Sequence, residues 1–566
     1  MWNPIPAYTY LLLLLSLPLS AVIFSQMPPV RAALVVILGG TMFLPELAAF
    51  DPPLLPPMDK HTFVFAAAFV GMTLRAPKLI KAAKPGRGVD LWFLLFLIGA
   101  IGTARTNVDG FVYGGGLHWN EVDHFPTVVI PPLRMYDAIS VFVGDLTSFW
   151  LPFFMGRAVI SDRDDLDLFL RALAFCGLVY VPFMCVEMVV SPQLHNWLYG
   201  YHPASFAHAM RGSGFKPMVF LKGGLAVAMF QYAALVCAII CHRTKKMLPY
   251  KIKPGLAVWA IVLSLVFSRN VGVLFYVVGT LPIMMMLGSA SQLRAALVLV
   301  MMFISFPYTR ATDIFPAEDL LATAQKYSHK RYESLKTRFD NEDVLLERAM
   351  LRPTFGWGYY GRNRIYDKRT GMDISITDGE WVTHLGSRGY IMEIGWAAVL
   401  VWPVLMAWKG IKKVASKPEK LILGVLALGL AMFAVDMLPN SSFNRILYFF
   451  SGAVVGALRV LKTAPTDGAS NSGGHAVVPN PRVGSGGYSA GHPAAGYPAA
   501  GHPAAGYPGA GHGAPVHPSA GHPSAGHPAA GHPAAAPNAG YASPGQAAAG
   551  PPGAYPGQPS GYPPSG

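Results

Sequence analysis

Long apolar segments recur along this chain, and they limit what it can fold into more than any other feature. Hydrophobic residues make up 52% of its 566 residues and charged residues only 13%, whereas a soluble domain carries about a quarter charged residues. An apolar run of about 18 residues or more is long enough to cross a bilayer as a helix. The sequence therefore predicts an all-α, multi-pass integral membrane protein.

We expect thirteen transmembrane helices, or twelve if one weak early segment does not span. The first has no basic residue before Arg31 and no small-residue cleavage site, so we interpret it as an uncleaved helix. The residues 254–288 can alternatively form one broken helix. The predicted spans are 7–24, 32–50, 61–75, 90–104, 136–157, 167–190, 217–241, 254–268, 270–288, 295–309, 388–408, 420–438 and 445–461.

Lysine and arginine residues concentrate in the loops 75–87, 241–253 and 409–420. Positively charged loops stay in the cytoplasm, so we expect an inner (plasma) membrane protein with a cytoplasmic C-terminus. The segments predicted to be extracytoplasmic are then 105–135, 191–216 and 310–387. Because the basic loops account for most of the net charge of +14, this charge indicates membrane orientation and not nucleic-acid binding.

The largest extracytoplasmic loop, about 310–387, carries twelve basic and twelve acidic residues, which is typical of an ordered polar module. Within it, "DNEDVLLERAMLRP" predicts an amphipathic helix that Pro353 ends. The side chains expected on its apolar side are Leu345, Leu346, Ala349 and Met350.

Residues 463–566 differ completely from the membrane domain, residues 1–462. They repeat Gly-His/Tyr-Pro-Ala/Ser-Ala, with a proline in each repeat and few large apolar side chains. Neither a helix nor a hydrophobic core can form from such a composition. We therefore predict a disordered cytoplasmic tail that acts as a flexible tether or a weak multivalent partner site, with metal chelation by its histidines as the less favoured interpretation.

Ionisable residues are costly inside a bilayer and mark candidate functional sites there. Six of them are predicted in or beside the outer halves of their helices, and Lys216 and Lys222 open the helix after the second outer loop. The sequence thus predicts a polar cavity that opens outward beneath the 310–387 loop. The alternatives are charges tolerated near water and an ion pair of Arg269 with a carboxylate. The six residues are Glu46, Asp145, Glu187, Arg269, Glu393 and Asp436.

Four short motifs follow one another along the outer side of the predicted bundle. In the first, Arg211 precedes a Gly-Ser-Gly turn whose amides are free to face an anion, and in the second Arg269 interrupts an apolar stretch. Arginine suits phosphate because its planar fork donates two hydrogen bonds and keeps its proton. The motifs are "MRGSGFKP" (210–217), "FSRNVG" (267–272), "RPTFGWGYYGRN" (352–363) and "DGEWVTHLGSRG" (378–389).

In this order, and with a large outer loop before the last helices, these motifs resemble the O-antigen ligase and O-antigen polymerase family of integral membrane glycosyltransferases. The resemblance covers about 135–460. It implies transfer of a glycan from undecaprenyl diphosphate to an acceptor hydroxyl, in O-antigen or exopolysaccharide assembly. The implied partners are the lipid-linked oligosaccharide, membrane lipid and other polysaccharide-assembly proteins through the tail. No cofactor or metal is expected, since no outer loop carries an Asp-x-Asp pair.

The resemblance also implies roles for individual residues. Asp378 stands where the ligase branch has a histidine, which favours a polymerase-like or exopolysaccharide-type member over a lipid A ligase. Asp378 is the predicted base, with Glu380 and His384 as alternates, although Asp378 could instead cap the next helix. The predicted diphosphate ligands are Arg211, Arg269 and Arg352, and the predicted glycan-binding residues are Trp357, Tyr359, Tyr360 and Trp381.

Two functions of other classes stay open. A transporter or flippase for an anionic or lipidic solute would also be multi-pass, but transporters usually place their sites at the bilayer midplane between inverted repeats. The two halves of this chain show no such repeat, and the motifs lie in a large outer loop. A non-catalytic scaffold that recruits partners through its tail is the third hypothesis, which the cluster of arginines and carboxylates disfavours.

Overall fold

The computed structural model describes residues 4–116, 124–204, 206–211, 214–441 and 445–463. The predicted disordered tail lies outside these ranges. The described structure is mostly helical (71%) with almost no sheet, which agrees with the predicted all-α membrane class. Its three small sheets are antiparallel strand pairs, namely Ala49–Phe50 with Met58–Asp59, Phe111–Tyr113 with Val128–Ile130, and Met210–Arg211 with Gly214–Phe215.

The main helices are apolar segments separated by proline, glycine or charged residues. In chain order the longer helices are α1 (Ala7–Gln26), α2 (Pro29–Phe43), α3 (Lys60–Arg75), α4 (Gly88–Thr106), α5 (Met135–Ala158), α6 (Arg163–Val190), α7 (Gly224–Arg243), α8 (Pro254–Phe267), α9 (Val271–Met286), α10 (Ser289–Ala311), α11 (Ala317–Tyr327), α12 (His329–Met350), α13 (Glu380–Gly410), α14 (Lys417–Asp436) and α15 (Arg445–Leu461). Within the described ranges, eight of them are long and apolar enough to cross a membrane, namely α1, α4, α5, α6, α7, α10, α13 and α14.

Three predicted boundaries need correction. The second span was expected to reach residue 50, but α2 ends at Phe43, so Glu46 lies in the following turn. The helix expected from residue 217 begins at Gly224, which leaves Lys216 and Lys222 before it. The span expected from residue 388 begins at Glu380. There the polar side chains Glu380 and His384 are buried and paired within the helix, so their polarity does not end it.

The amphipathic helix predicted inside the large loop is confirmed. It forms the C-terminal part of α12, which ends at Met350, before Pro353. Leu345, Leu346 and Ala349 are buried as expected. This face of α12 packs on α13, so the loop module (residues 312–379) rests on the bundle through its own apolar stripe.

Contacts sort the connecting segments into two groups, one at each end of the helices. One group contains the described residues 44–59, 107–116, 124–134, 191–204, 206–211, 214–223, 312–379 and 437–441. Its hydrogen bonds join Glu46 to His195, Gly114 to Lys368 and Thr377 to Ser441. The other contains the basic loops, and its contacts join Ala82 to Arg459, Asp167 to Lys246 and Arg163 to Glu419. The first group includes most of the segments predicted to be extracytoplasmic, together with 44–59 and 437–441, which were not among them. Which end faces the cytoplasm stays a prediction.

The helix α13 is broken at Gly389. This residue has φ 64° and ψ −168°, a conformation that is open essentially to glycine alone. In an unbroken helix the carbonyls of Gly386 and Ser387 would accept hydrogen bonds from the amides of Tyr390 and Ile391. The break removes both bonds and leaves four backbone groups that need other partners, because unpaired buried backbone groups are costly.

The turn 353–358 of the loop module supplies all four partners. Each freed carbonyl accepts from an amide of the turn, and each freed amide donates to one of its carbonyls. Two lost helix bonds are thereby replaced by four bonds to a distant part of the chain. The bonds run from Trp357 N–H to Gly386 O (2.8 Å), Gly358 N–H to Ser387 O (2.7 Å), Tyr390 N–H to Pro353 O (2.7 Å) and Ile391 N–H to Thr354 O (3.4 Å).

Replacing Gly389 by alanine tests this junction. A β-carbon at Gly389 would lie 2.4 Å from the carbonyl oxygen of Pro353, and the positive φ adds strain. We expect Gly389→Ala to lower the free energy of unfolding by about 3 kcal/mol, measured as thermal unfolding of the detergent-solubilised protein. The matched control is Gly279→Ala, within α9, where nothing lies within 4 Å of the added carbon. Equal unfolding temperatures for the two variants would contradict the junction.

Candidate functional site

The turn "RPTFGWGYYGRN" lies directly against the break in α13. A β-carbon at Gly356 would lie 2.4 Å from the amide nitrogen of Arg388, so this close approach requires glycine. This close contact of the two backbones determines the position of the residues that follow in the turn. Tyr359 and Tyr360, both predicted to bind glycan, are placed beside the break.

Trp357 and Arg352, by contrast, hold the turn together. The guanidinium groups of Arg348 and Arg352 lie 4.2 and 4.4 Å from the centroid of the Trp357 ring, and the ring is buried. Arg352 also donates to the side-chain oxygen of Asn107 at 2.8 Å. In this conformation both residues hold the turn, the Trp357 ring beneath two guanidinium groups and Arg352 through its Nη1 atom.

A buried ion pair stands beside the break. Arg388, the residue before Gly389, donates two hydrogen bonds to the carboxylate of Asp145 on α5, one of them 2.6 Å long. Both side chains are almost completely inaccessible. The Arg388 guanidinium also lies 4.9 Å from the centroid of the Tyr359 ring. The pair therefore ties α5, α13 and the turn of the loop module together.

Two recesses open on this arrangement. The deep recess lies between α4, α5 and the turn, and Tyr359 and Arg388 line it; its space of about 260 Å³ includes open solvent. The wide recess holds about 600 Å³, part of it open to solvent, between the loop 51–55, α5 and Tyr360. Asp137 and Tyr360 line both. A ligand in the wide recess would thus contact two residues that also line the deep recess.

Arg269 lies in a second group of residues. It joins α8 to α9 with φ 59°, a left-handed conformation. A β-carbon on Gly214 would lie 2.5 Å from the guanidinium carbon of Arg269, so this side chain rests on the backbone of the "RGSGF" segment. Arg211 pairs with Gly214 in the same small strand pair, although its side chain lies outside what the structure describes. The structure therefore joins the first two motifs, but neither lines the two recesses.

The three predicted acid–base residues separate into two environments. Asp378 lies at the surface with 40% of its side chain exposed, 3.5 Å from Arg338. It does not cap α13, because the cap residue is Gly379 and no side chain caps this end. Glu380 and His384 are buried and pair at 3.1 Å. Only Asp378 is accessible to an acceptor from outside the bundle.

Trp381 is fully buried. Its indole N–H donates to Glu342 at 2.8 Å, and its ring packs edge-on against Phe306. Burial raises the pKa of the Glu342 carboxyl, against the opposing effect of the neighbouring Arg310. Trp381 thus anchors α12 to the bundle, and its ring has no face open to a sugar.

Three of the buried carboxylates expected to share one cavity have separate partners instead. Glu46 pairs with Lys60 at 2.8 Å, and Asp436 accepts from Asn440. Glu187 accepts from three backbone amides, including those of Met218 and Val219 at 2.7 Å. These contacts fasten the loops to the helix ends. None of these three carboxylates lines either recess.

Sequence reasoning missed Arg388, Tyr136, Asp137 and Asp51 as residues of this region. Arg388 carried a signal, because an arginine beside a glycine in an apolar segment needs a partner. The others looked like ordinary loop or helix-end residues, and only the fold brings them to Tyr360.

Removing one member of the buried pair should cost far more than removing both. Arg388→Met leaves the Asp145 carboxylate uncompensated, and we expect a loss of about 3–5 kcal/mol of unfolding free energy. The double variant Arg388→Met/Asp145→Leu should recover most of that loss. Thermal unfolding of the wild type, Arg388→Met, Asp145→Leu and the double variant measures the coupling. Lys336→Met, which removes one member of an exposed pair with Asp340, is the control. Additive losses would show that the pair does not act as a unit.

The stability of the protein should depend on pH through His195. His195 is buried, accepts from the Glu46 amide at 3.1 Å and contacts the Tyr201 carbonyl, and burial lowers its pKa to about 4. Because its unfolded pKa is 6.5, the unfolded chain gains a proton between these values that the folded protein does not. Stability contributed by neutral His195 is therefore present above pH 6.5 and is lost as pH falls toward 4. His195→Gln should flatten that part of the stability profile, and an unchanged slope would contradict this.

Comparison with known proteins identifies no relative of this chain. No family model matches the chain, and no curated protein matches its sequence. The resemblance to the O-antigen ligase and polymerase family accordingly depends on the four motifs, their order and their placement.

Proposed function

We propose that this protein is a membrane glycosyltransferase that polymerises or transfers glycan repeat units carried on undecaprenyl diphosphate. The reaction takes place at the extracytoplasmic face, in O-antigen or exopolysaccharide assembly, with polymerisation preferred over ligation. One observation carries the proposal. The guanidinium of Arg269 rests on Gly214, so two motifs far apart in sequence form one group that suits a diphosphate.

The arrangement of the helices supports the proposed side of the membrane. Tyr8 contacts Leu198, which places the start of α1 with the loop module's end of the bundle, and Arg163 contacts Thr463 at the other end. Thirteen helices run between these two ends in our interpretation, including α3 and α15. The basic loops would then lie in the cytoplasm, and the loop module and Arg269 outside.

The proposal gives each group one role in the transfer. Arg269 and Arg211 hold the diphosphate, and a guanidinium suits this role because it stays protonated and forms two hydrogen bonds. An acceptor hydroxyl oxygen bonds to the anomeric carbon while the bond from that carbon to the diphosphate oxygen breaks. The electron pair stays on the diphosphate, whose growing charge the arginines stabilise. The acceptor proton passes to a carboxylate, for which exposed Asp378 is the proposed base.

The glycan is proposed to lie at the recesses beside Tyr359 and Tyr360. Aromatic faces bind the apolar faces of other rings, and residue Tyr360 is 55% exposed. Arg352, Trp357 and Trp381 act in this proposal as positioning residues, because their side chains hold the turn and α12 in place.

The junction of Arg269 with Gly214 gives the sharpest test. Arg269→Ala should abolish elongation of a lipid diphosphate-linked repeat unit by the purified protein, and Gly214→Ala should reduce it at least about tenfold because the added carbon displaces the guanidinium. Both variants should stay folded in the membrane. Arg294→Ala, an exposed arginine on α10, and Gly223→Ala, where nothing lies within 4 Å, are the matched controls. Normal product from both test variants would refute the diphosphate site.

The same assay separates the remaining hypotheses. A polymerase yields longer lipid-linked chains, and a ligase yields glycan on a different acceptor. A flippase moves the lipid-linked unit across the bilayer without changing its length. Only the first two products agree with the proposed chemistry.

A further inference from the structure

The wide recess combines aromatic faces, carboxylates and a hydroxyl group. Tyr136 and Tyr360 are both about half exposed, and the side chains of Asp51, Asp137 and Ser140 complete its polar lining. No lysine or arginine is among the described residues that line it. Carboxylates accept hydrogen bonds from hydroxyl and ammonium groups, and they repel a ligand that carries carboxylates or phosphates of its own.

The walls of this recess are held in place. Pro56 packs against α5, where a β-carbon at Gly144 would lie 3.4 Å from it, and this contact fixes the loop 51–55. Asp137 accepts from the backbone amide of Arg134 at 2.6 Å in the first turn of α5. One carboxylate oxygen is thereby oriented by the helix start.

Two residues that line the recess have a strained backbone. Leu54 has φ 67° and Tyr360 has φ 61°, a conformation that side chains other than glycine seldom adopt. Such strain persists where surrounding structure enforces it, and it is concentrated at ligand-binding sites. Partial burial raises the pKa of Tyr360, and the nearby charges of Asp137 and Asp51 add to the effect. A tyrosine hydroxyl is in any case protonated at neutral pH and can donate a hydrogen bond.

We infer that the wide recess is a glycan subsite that takes neutral or amine-bearing sugars and rejects acidic ones. Sugar rings lie against Tyr136 and Tyr360, and their hydroxyl or ammonium groups donate to Asp51 and Asp137. The inference deepens the proposed function, on which it rests, by naming the charge class of the repeat unit that the enzyme takes.

Three hexasaccharides of matched length test the subsite on the purified full-length protein in lipid nanodiscs. The probes are cellohexaose (neutral), the fully deacetylated chitosan hexamer (amine-bearing) and hexagalacturonic acid (acidic), with binding measured by calorimetry. We expect the first two to bind and the acidic one to bind at least about tenfold more weakly, a difference of about 1.4 kcal/mol. Equal binding of all three, or no binding of the neutral and amine-bearing probes, would overturn the inference.

Two variants locate the binding. Tyr360→Ala should weaken binding of the neutral hexamer about tenfold. Asp51→Asn should reduce the ratio of neutral-probe affinity to acidic-probe affinity about threefold or more. The matched controls are Tyr327→Ala and Asp319→Asn on α11, which belongs to the loop module, as Tyr360 does, but does not line the recess. Unchanged binding in both test variants would place the glycan elsewhere. Elongation of the lipid-linked unit is assayed separately. Failure of the binding test would therefore overturn the subsite without overturning the proposed reaction.

Discussion

The break of α13 at Gly389 is the constraint on which the placement of the loop module depends. It exposes four backbone groups in the interior of the protein, where no water replaces their lost partners. The turn 353–358 satisfies all four, so the loop module is attached to the bundle by backbone hydrogen bonds and not by side chains alone. The glycines at 356 and 389 let the two backbones come this close.

The junction also determines which side chains face the recesses. Arg388 precedes the break and reaches Asp145 on α5, while Tyr359 and Tyr360 follow the docked part of the turn. A buried pair of charges is a poor source of stability on its own, but it fixes the register between two helices at this point. The accessible polar groups therefore lie at the edge of a rigid structure, which is what a binding site for a lipid-linked glycan requires.

Composition and periodicity predicted the helical membrane class, the apolar side of α12 and the bounds of α15, since these depend on local sequence. The break at Gly389 was not predictable, because its freed backbone groups find partners about thirty residues away along the chain. Asp145 and Arg388 are 243 positions apart, so the local sequence signals that Arg388 needs a partner but not which residue that partner is. Trp381 and Tyr360 are both aromatic residues near polar neighbours, and only packing distinguishes the buried one from the exposed one.

The central claim is that the chain transfers lipid-linked glycan through a site that includes Arg269. Its most direct test is incubation of the purified full-length protein with an undecaprenyl diphosphate-linked repeat unit, followed by sizing of the lipid-linked products. The account predicts products longer than the substrate, together with release of undecaprenyl diphosphate, and their loss in Arg269→Ala. Recovery of the unaltered substrate with the folded wild-type protein, with no glycan transferred to any acceptor supplied, would contradict it.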